Sequence, residues 1–571
     1  MGTDTVCVPI PEVDPWRLSC YFGGVKFLRA LTNSLLSGLF FSLLLSLLVA
    51  DLNINLGFKL GAQGKLTLFL MASYGLLVAV LCLLLSSFFL FFTGKRVDGG
   101  FVSTSFLMTS FSLLTLVFLV IFRENYTHFL SFFVPGVRSL LRAQMLALFV
   151  LAVAGLVIRR QIRQGKPRRL YVRAYFVLAA VVLIFVFWMR VNYPSPQRSF
   201  KLVNLEVKKI DKKVTILRLE GLSLDFILPL ANERKLPNFM WLMDHGCWGH
   251  LRGFTPSDPF VLHRSFDTGM LPGKHRQISE VRYAIPGMKE TLEVVPRFIL
   301  FRQLTRAGLL VMLPNEAPSS VKDIWKIFED CGAVTLKRES SSIAPSPSKP
   351  GPKIDKLFGT FYKDFQFEAA LIFSQVKQAF FRDADLQDRA LAEKTDLQPQ
   401  LFSLGLDGAN IAEMFFYRFS FPEAFGEIQQ QLQKYGTVIE KYYQFYDQII
   451  GSYLATLKEG ELFIVYSPYG VEPLPFWKRV LEWMLGNGNV TSYHERAPEG
   501  AVFVYGKGIV RGINVDAIRL VDLAPAILYY MGLPVAKDMD GVVLGSLFER
   551  EFTDENPLFT ISSYEEVNIK K

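Results

Sequence analysis

VTILRLEGLS, Val214–Ser223, is the stretch on which the fold turns. Val214–Leu219 is a short run rich in β-branched and aliphatic residues, the signature of a buried strand. Glu220-Gly221-Leu222-Ser223 interrupts it, and a helix-like segment follows that ends near Lys235. Buried-strand runs recur at Leu401–Leu406, Leu462–Tyr466 and Ala501–Tyr505, with apolar residues at helical spacing between them, as in Ile428–Leu457. Strands alternating with helices predict a mostly parallel central sheet covered by helices on both faces. In such sheets chemistry gathers at the carboxyl ends of the strands. Ser340–Pro352 (SSSIAPSPSKPGP) predicts a mobile surface loop inside this domain.

Upstream of this α/β region the chain changes character. Over the 571 residues, 51% are hydrophobic and 20% charged, and 51 are Phe. That balance excludes a disordered chain and a disulfide scaffold. Apolar runs of spanning length lie near Leu31–Ala50, Leu66–Phe92, Phe101–Phe122, Ala143–Ile158 and Ala174–Met189. A helix needs roughly 20 apolar residues to cross a bilayer, so five spans are expected. The net charge of +10 suggests nucleic acid at first sight. Much of the excess flanks the apolar runs, however, and no nucleic-acid partner is expected. Arg159, Arg160, Arg163, Lys166, Arg168, Arg169 and Arg173 crowd one inter-span loop, and Lys95 and Arg96 another. The positive-inside rule then puts the N-terminus in the cytoplasm and everything after Met189 outside. The expected organisation is a cytoplasmic segment 1–30, a five-helix transmembrane domain 31–190, a linker 191–212, an extracytoplasmic domain 213–550 and a tail 551–571.

The motifs along the outer domain carry a family resemblance. EGLS (Glu220–Ser223), LPNFMWLMDHG (Leu236–Gly246), TPSDPFVLHRSFDTGMLPGKH (Thr255–His275), KDIWKIFEDCG (Lys322–Gly332), GLDGANIAEMFFYRF (Gly405–Phe419), LFIVYSPYG (Leu462–Gly470), HERAPEGAVFVYGKGI (His494–Ile509) and VDLAPAILYYMGLPVAKDMDGVVL (Val521–Leu544) follow one another in order. Together they resemble the alkaline-phosphatase superfamily, in the branch of the type I phosphodiesterases and nucleotide pyrophosphatases. The resemblance covers roughly 214–548 and implies an alkaline-phosphatase-like α/β domain. A five-helix anchor ahead of such a domain is also similar in architecture to lipoteichoic acid synthases and lipid A phosphoethanolamine transferases.

The family's chemistry uses two metal ions, usually zinc, held by Asp and His, with a Ser or Thr nucleophile on one of them. The cations lower the nucleophile's pKa and clamp an in-line displacement. Carried over position by position, the first Asp falls on Glu220 and the nucleophile on Pro259, which has no hydroxyl. The Asp-x-x-x-His pair falls on Asn410 and Met414, or in a second register on Asp407 and Ile411. The Asp-His pair before a glycine falls on Pro468 and Tyr469, and the last His is His494. Proline cannot attack phosphorus, and neither Met414 nor Tyr469 replaces a zinc-binding imidazole. The resemblance therefore implies a degenerate site with no metal or other cofactor expected. Ser257, Asp258 and Asp407 are the alternative candidates for a rebuilt site.

His245 and His250 flank Cys247 with a spacing suggestive of metal but lack nearby carboxylates. His263 and His275 are expected to be structural, and Asp267 to be exposed in the cleft. Tyr442, Tyr443, Phe445 and Tyr446 are expected to pack in the core. Asn125-Tyr-Thr and Asn489-Val-Thr are glycosylation sequons, and Cys247 and Cys331 are candidates for a disulfide. The expected function is that of a membrane-anchored pseudoenzyme acting as a binding or assembly partner at the outer face. Its partners would be membrane lipids and another envelope protein, a lipid head group or a glycan. The alternative is an active metal-dependent phosphodiesterase, or a transferase of a phosphate-containing head group onto an envelope lipid or polymer, with a rebuilt site.

Overall fold

A computed structural model describes residues 15–53, 60–93, 104–193, 203–206, 210–297, 301–315, 321–340, 351–363, 371–426, 429–484, 488–494, 497, 499–516 and 518–570. Most of the expected Ser/Pro loop, 341–350, lies outside the described residues. The chain divides into two compact units, Met1–Pro196 with Ser279–Glu316, and Gln197–Ile278 with Ala317–Lys571.

In the first unit, five helices are long and apolar enough to cross a membrane: Phe27–Leu52, Gly61–Phe88, Thr104–His128, Pro135–Arg163 and Arg168–Val191. The second passes through a π-helical turn at Met71–Gly75. There it meets the first helix through small residues. A Cβ on Gly38 would lie 2.2 Å from the Gly75 carbonyl oxygen, and one on Gly75 would lie 2.3 Å from Ser42 Oγ. Small residues let helix backbones approach closely where lipid gives no hydrophobic drive. Asp51 and Arg190, buried and 3.7 Å apart, pair the first and fifth helices, and the Tyr193 hydroxyl donates to Asp51 Oδ1 at 2.9 Å.

The second part of this unit, from Ser279, carries a three-stranded antiparallel sheet of Val281–Ala284, Thr291–Leu292 and Val311–Pro314. The sequence reading assigns this strap to the outer domain, yet it is gripped by two buried asparagines at helix ends. Asn53 Oδ1 accepts from the backbone N–H of Glu293 (2.7 Å) and Val294 (2.9 Å), and its Nδ2 donates to the Val294 carbonyl at 2.8 Å. Asn125 Oδ1 accepts from Arg297 N–H at 2.7 Å, and Nδ2 donates to the Ile121 carbonyl at 2.8 Å and to the Arg297 carbonyl at 3.3 Å. An amide side chain suits this task because it offers a donor and an acceptor together. The Asn125 sequon is thus spent on structure: its side chain is fully buried and has no room for a glycan.

The second unit is built on an eight-stranded sheet whose strands we number in chain order: β1 (Lys213–Leu219), β2 (Cys247–Arg252), β3 (Thr335–Glu339), β4 (Leu401–Leu406), β5 (Glu461–Tyr466), β6 (Gly500–Tyr505), β7 (Ile513–Asn514) and β8 (Ile518–Arg519). Their order across the sheet is β7-β2-β6-β5-β1-β4-β3, with β8 also on β2. The expectation of a mostly parallel sheet needs one correction. β6 runs antiparallel to both β5 and β2, so the sheet is mixed. β1 is central and buried on both faces. Val214 and Ile216 pack on one face with Leu262 and Phe266, while Leu217 and Leu219 pack on the other with Phe402 and Tyr442. The alternation follows from the strand's period of two, and burying each such Leu, Ile or Phe contributes about 1.5–3 kcal/mol. Tyr442, Tyr443, Phe445 and Tyr446 lie in this core, as expected. The expected helix Ile428–Leu457 is two helices, Gln429–Tyr435 and Val438–Leu454, separated at Gly436. The linker and the tail also meet, since Val203–Glu206 pairs in parallel with Val567–Lys570. Cys247 and Cys331 are both free thiols.

Replacing Asn53 by Ala strands the amides of Glu293 and Val294 and the Val294 carbonyl in a buried setting, at about 1–3 kcal/mol for each unsatisfied group. Asn53→Ala and Asn125→Ala should each lower the thermal midpoint of the detergent-solubilised chain and quicken tryptic cleavage at Arg297 and Arg306. Unchanged cleavage in both variants would show that the two asparagines do not hold the strap.

Candidate functional site: an ion-paired cleft at the end of the central strand

Strand alternation puts Arg218 on the face of Val214 and Ile216, and Glu220 follows just beyond the carboxyl end of β1. Arg218 stands opposite Gly405 of β4 and Tyr466 of β5. Gly405 is required there by close approach: a Cβ would lie 2.5 Å from Arg218 Nη2 and 2.8 Å from Cζ. The guanidinium therefore lies across the sheet, with Nη1 donating to Glu339 Oε1 at 2.8 Å and Nε 3.4 Å from Glu220 Oε1. The chain of charges continues from Glu339 to Lys337 (3.0 Å) and from Lys337 to Asp267 (2.9 Å), whose other oxygen accepts from Trp325 Nε1–H at 2.8 Å. Asp267, expected to be exposed in the cleft, is buried beneath it.

Glu220 is 5% exposed, and both of its oxygens are engaged. His263 Nε2 lies 2.9 Å from Oε1, and the Tyr469 hydroxyl donates to Oε2 at 2.5 Å. Burial works against a charge at Glu220, but His263, Arg218 and Tyr469 outweigh it and hold the carboxyl down to about 2. At Glu339 burial likewise opposes the charge, yet Arg218 and Lys337 keep the carboxyl well below its usual range. Tyr469 responds in the opposite direction. Burial and the adjacent Glu220 hold its hydroxyl well above the ordinary tyrosine value, so it keeps its proton and donates. The His494 ring stacks on Tyr469, with centroids 4.8 Å apart and planes at 25°.

The structure thus brings together Glu220, Tyr469 and His494 from the expected set, and adds His263 and Arg218. Asp258 caps the helix Pro259–Thr268 by accepting from Val261 N–H at 3.2 Å, and lies within electrostatic reach of His263 and His494. Pro259 occupies the first position of that helix, where a missing N–H costs nothing. Ser257 Oγ is 3.4 Å from the Phe254 carbonyl. Asn410 supports the turn through its backbone: a Cβ on Gly221, at φ +92°, would lie 2.9 Å from Asn410 N. The Met414 carbonyl accepts from Thr491 N–H at 2.8 Å. Pro468 is buried, and its carbonyl oxygen lies 3.0 Å from where a Cβ on Gly253 would sit. Asp407 is committed elsewhere, accepting from Arg382 and, at 3.0 Å, from Ser340 Oγ. His275 is structural, as expected. Its Nδ1 accepts from Gln277 N–H at 3.1 Å, its Nε2 lies 2.9 Å from Ser265 Oγ, and burial lowers its pKa to about 3. His245 Nδ1 is 2.9 Å from the Trp241 carbonyl and its ring stacks on Trp241.

Two buried carboxylates escape the sequence reading. Glu413 Oε1 accepts from the Tyr443 hydroxyl at 2.9 Å, and burial raises its carboxyl well above the usual range. Asp383 Oδ2 accepts from Gly408 N–H (3.1 Å) and from the hydroxyls of Tyr442 and Tyr446 (3.0 Å each), while burial, then Asp407, raise its pKa to about 7. The signal was present in the helical pattern: Glu413 shares a face with Ala409, Ala412 and Phe416, and Asp383 with Val376, Ala379 and Phe380.

The two zinc ions implied by the family resemblance do not fit this donor set. Glu220 has both oxygens engaged, Tyr469 donates its proton inward, and Pro259, Met414 and Pro468 offer no zinc-binding side chain of the hard or imidazole type. Among the described residues, no group of three or more His, Cys, Asp or Glu side chains is arranged to hold a metal ion.

These pKa shifts have opposite consequences for stability. The folded pKa of Glu220 is depressed from 4.5 to about 2, so its contribution is complete above about 4.5 and is lost as the pH falls toward 2. That of Asp383 is raised from 3.8 to about 7, so the folded chain binds a proton that the unfolded chain releases, and stability falls as the pH rises from 3.8 to 7. Thermal midpoints against pH should therefore fall off on both sides of about pH 4–5, and Asp383→Asn should flatten the upper limb. Glu220→Ala removes the 2.9 Å contact of His263 and leaves Arg218 with Glu339 alone, and should cost about 3–5 kcal/mol. A Glu220→Ala midpoint equal to the parent at pH 7 would remove the pairing argument.

No family model matches the chain, and no curated protein matches it in sequence. Among solved structures, the chain is similar to murine ectonucleotide pyrophosphatase/phosphodiesterase 5 in its inactive form in complex with AMP, with 10% identity over 61% of this chain and 100% of that one and a TM-score of 0.34. The human ectonucleotide pyrophosphatase/phosphodiesterase 5 gives 11% identity over 58% and 97%, with a TM-score of 0.35. The phosphonate monoester hydrolase of Silicibacter pomeroyi gives 15% identity over 58% and 76%, with a TM-score of 0.35. At these values the likeness carries no ligand or reaction across, and both rest on the side chains described above.

Proposed function

We propose that the chain is a membrane-anchored pseudoenzyme of the alkaline-phosphatase superfamily that acts as a binding or assembly partner at the outer face of the membrane. The five apolar helices span the membrane, with the N-terminus cytoplasmic and the C-terminal domain extracytoplasmic. The Arg-rich stretch Arg159–Arg173 supports this orientation. One observation carries the functional reading: Glu220, at the position of a metal ligand in the family, accepts from Tyr469 and has His263 at 2.9 Å and Arg218 at 3.4 Å. The cations that such a cleft would recruit are replaced by side chains of the protein itself. Beside the cleft Asp258 is exposed and His494 half-buried, polar groups suited to a polar partner such as a lipid head group, a glycan or a segment of another envelope protein.

A second reading has one observation in its favour. His263 and Glu220, 2.9 Å apart, form an imidazole–carboxylate pair beside His494, the arrangement from which general-base catalysis is built. In that reading the domain is a phosphodiesterase or head-group transferase with a rebuilt site.

Metal analysis of the purified full-length chain, with aryl-phosphodiester hydrolysis under added zinc or manganese, separates the two. The pseudoenzyme reading expects no stoichiometric metal and no turnover. Bound metal, with turnover abolished by His263→Ala, would overturn it. Orientation has its own test, because Asn489 is exposed whereas Asn125 is buried. Expression through a eukaryotic secretory pathway should add one glycosidase-sensitive glycan, lost in Asn489→Gln and retained in Asn125→Gln. A chain without a glycan would place the domain on the other side.

A further inference from the structure

The helix Phe476–Met484 (FWKRVLEWM) lies in the connection between Tyr469 and His494, just after the short ladder of Glu472–Pro473 with Ser492–Tyr493. It is inside out. Phe476, Trp477, Val480, Trp483 and Met484 recur at the spacing of one helix face, and this is the face turned to solvent: Phe476 is 60%, Trp477 80%, Trp483 72% and Met484 64% exposed. The charged residues face the domain. Lys478 Nζ sits 3.9 Å from the centroid of the Tyr493 ring, and Arg479 Cζ 4.7 Å from that of Phe425, which anchors the helix by cation–π contacts. A surface helix normally buries its apolar stripe and exposes its charges. Two tryptophans, a phenylalanine and a methionine held toward water, while half-buried cations anchor the opposite side, need a non-aqueous cover.

We propose that this helix is an interfacial element that docks on a lipid surface, the bilayer that holds the chain's own helices. Two observations favour lipid over protein as the occupant. The face is dominated by Trp and Phe, whose amphipathic or bulky rings favour the headgroup–acyl boundary. The five apolar helices tether the domain to a membrane, so the second contact is intramolecular and benefits from a high effective concentration. The helix also belongs to the connection that carries both Tyr469 and His494, so docking would set the cleft mouth close to lipid head groups. This inference rests on the reading that the five helices span a bilayer, and it holds whether or not the cleft is catalytic.

The test is spin-label accessibility on the full-length chain, reconstituted into vesicles of phosphatidylethanolamine and phosphatidylglycerol, in a background where the other cysteines are replaced. Labels are placed at Trp477→Cys, at Met484→Cys, at native Cys82 in the second apolar helix, and at Lys507→Cys on the exposed surface. The expected result is several-fold greater relaxation by oxygen than by a water-soluble nickel chelate at 477, 484 and 82, with the order reversed at 507. Nickel access at 477 and 484, with Cys82 shielded, would overturn the docking while leaving the spanning helices intact. Shielding of 477 and 484 from both reagents would also overturn it, in favour of a protein partner or second copy. Nickel access at Cys82 would overturn the membrane reading itself.

Discussion

A carboxylate buried at the end of the central strand is the constraint around which the α/β unit is arranged. Burying a charge is expensive unless it is paired and hydrogen-bonded, and Glu220 is buried where β1 ends beneath the helix Pro259–Thr268. Every feature nearby answers that demand. Arg218 reaches it only because Gly405 leaves space on β4, and His263 reaches it from the helix that Pro259 and Asp258 begin. Tyr469 replaces what the family resemblance implies would be a metal-binding imidazole with a hydroxyl that donates to the same carboxylate. Remove any one of these and the buried carboxylate keeps fewer partners. A network of this kind is weak evidence for stability in itself, but it fixes one arrangement of the side chains that compose it.

The same accounting explains the first unit at its polar end. Strap residues Glu293–Arg297 have backbone groups that need partners away from water, and Asn53 and Asn125 supply a donor and an acceptor each. Asp51 and Arg190 neutralise one another between the first and fifth helices. None of these residues forms a pathway of charges through the bundle; they close its end. The polar residues within the bundle are its joints.

Fold alone does not decide what such a domain does; the side chains do, and those around Glu220 are an arginine, a histidine and a tyrosine. The helix Phe476–Met484, with its apolar face turned to solvent, is where the sequence departs most from the needs of folding.

Much of this was legible in the sequence. Leu401–Leu406 matches its strand to the residue, the three other strands read from the sequence match to within one, and the apolar helices fall where hydropathy put them, because burial imposes periodicity that survives in one dimension; Cys247–Arg252 and Thr335–Glu339 are not read as strands from the sequence. That Pro259 offers no hydroxyl was legible as well, since proline lacks one in any fold. What only the tertiary structure decided are pairings between distant segments: Arg218 with Glu339, Asp267 with Lys337, Asn53 with Val294, and the reversal of β6. Sequence spacing carries no record of which surface a polar side chain will meet. Asn125 looked like a sequon and is a buried latch, Asp267 looked exposed and is buried, and the charged residues of Phe476–Met484 face inward. The sequence by itself determined which segments are helix, strand and membrane-length helix, because those depend on local periodicity and composition. The structure alone decided how each buried charge and amide is satisfied, because that depends on partners brought together from hundreds of residues apart.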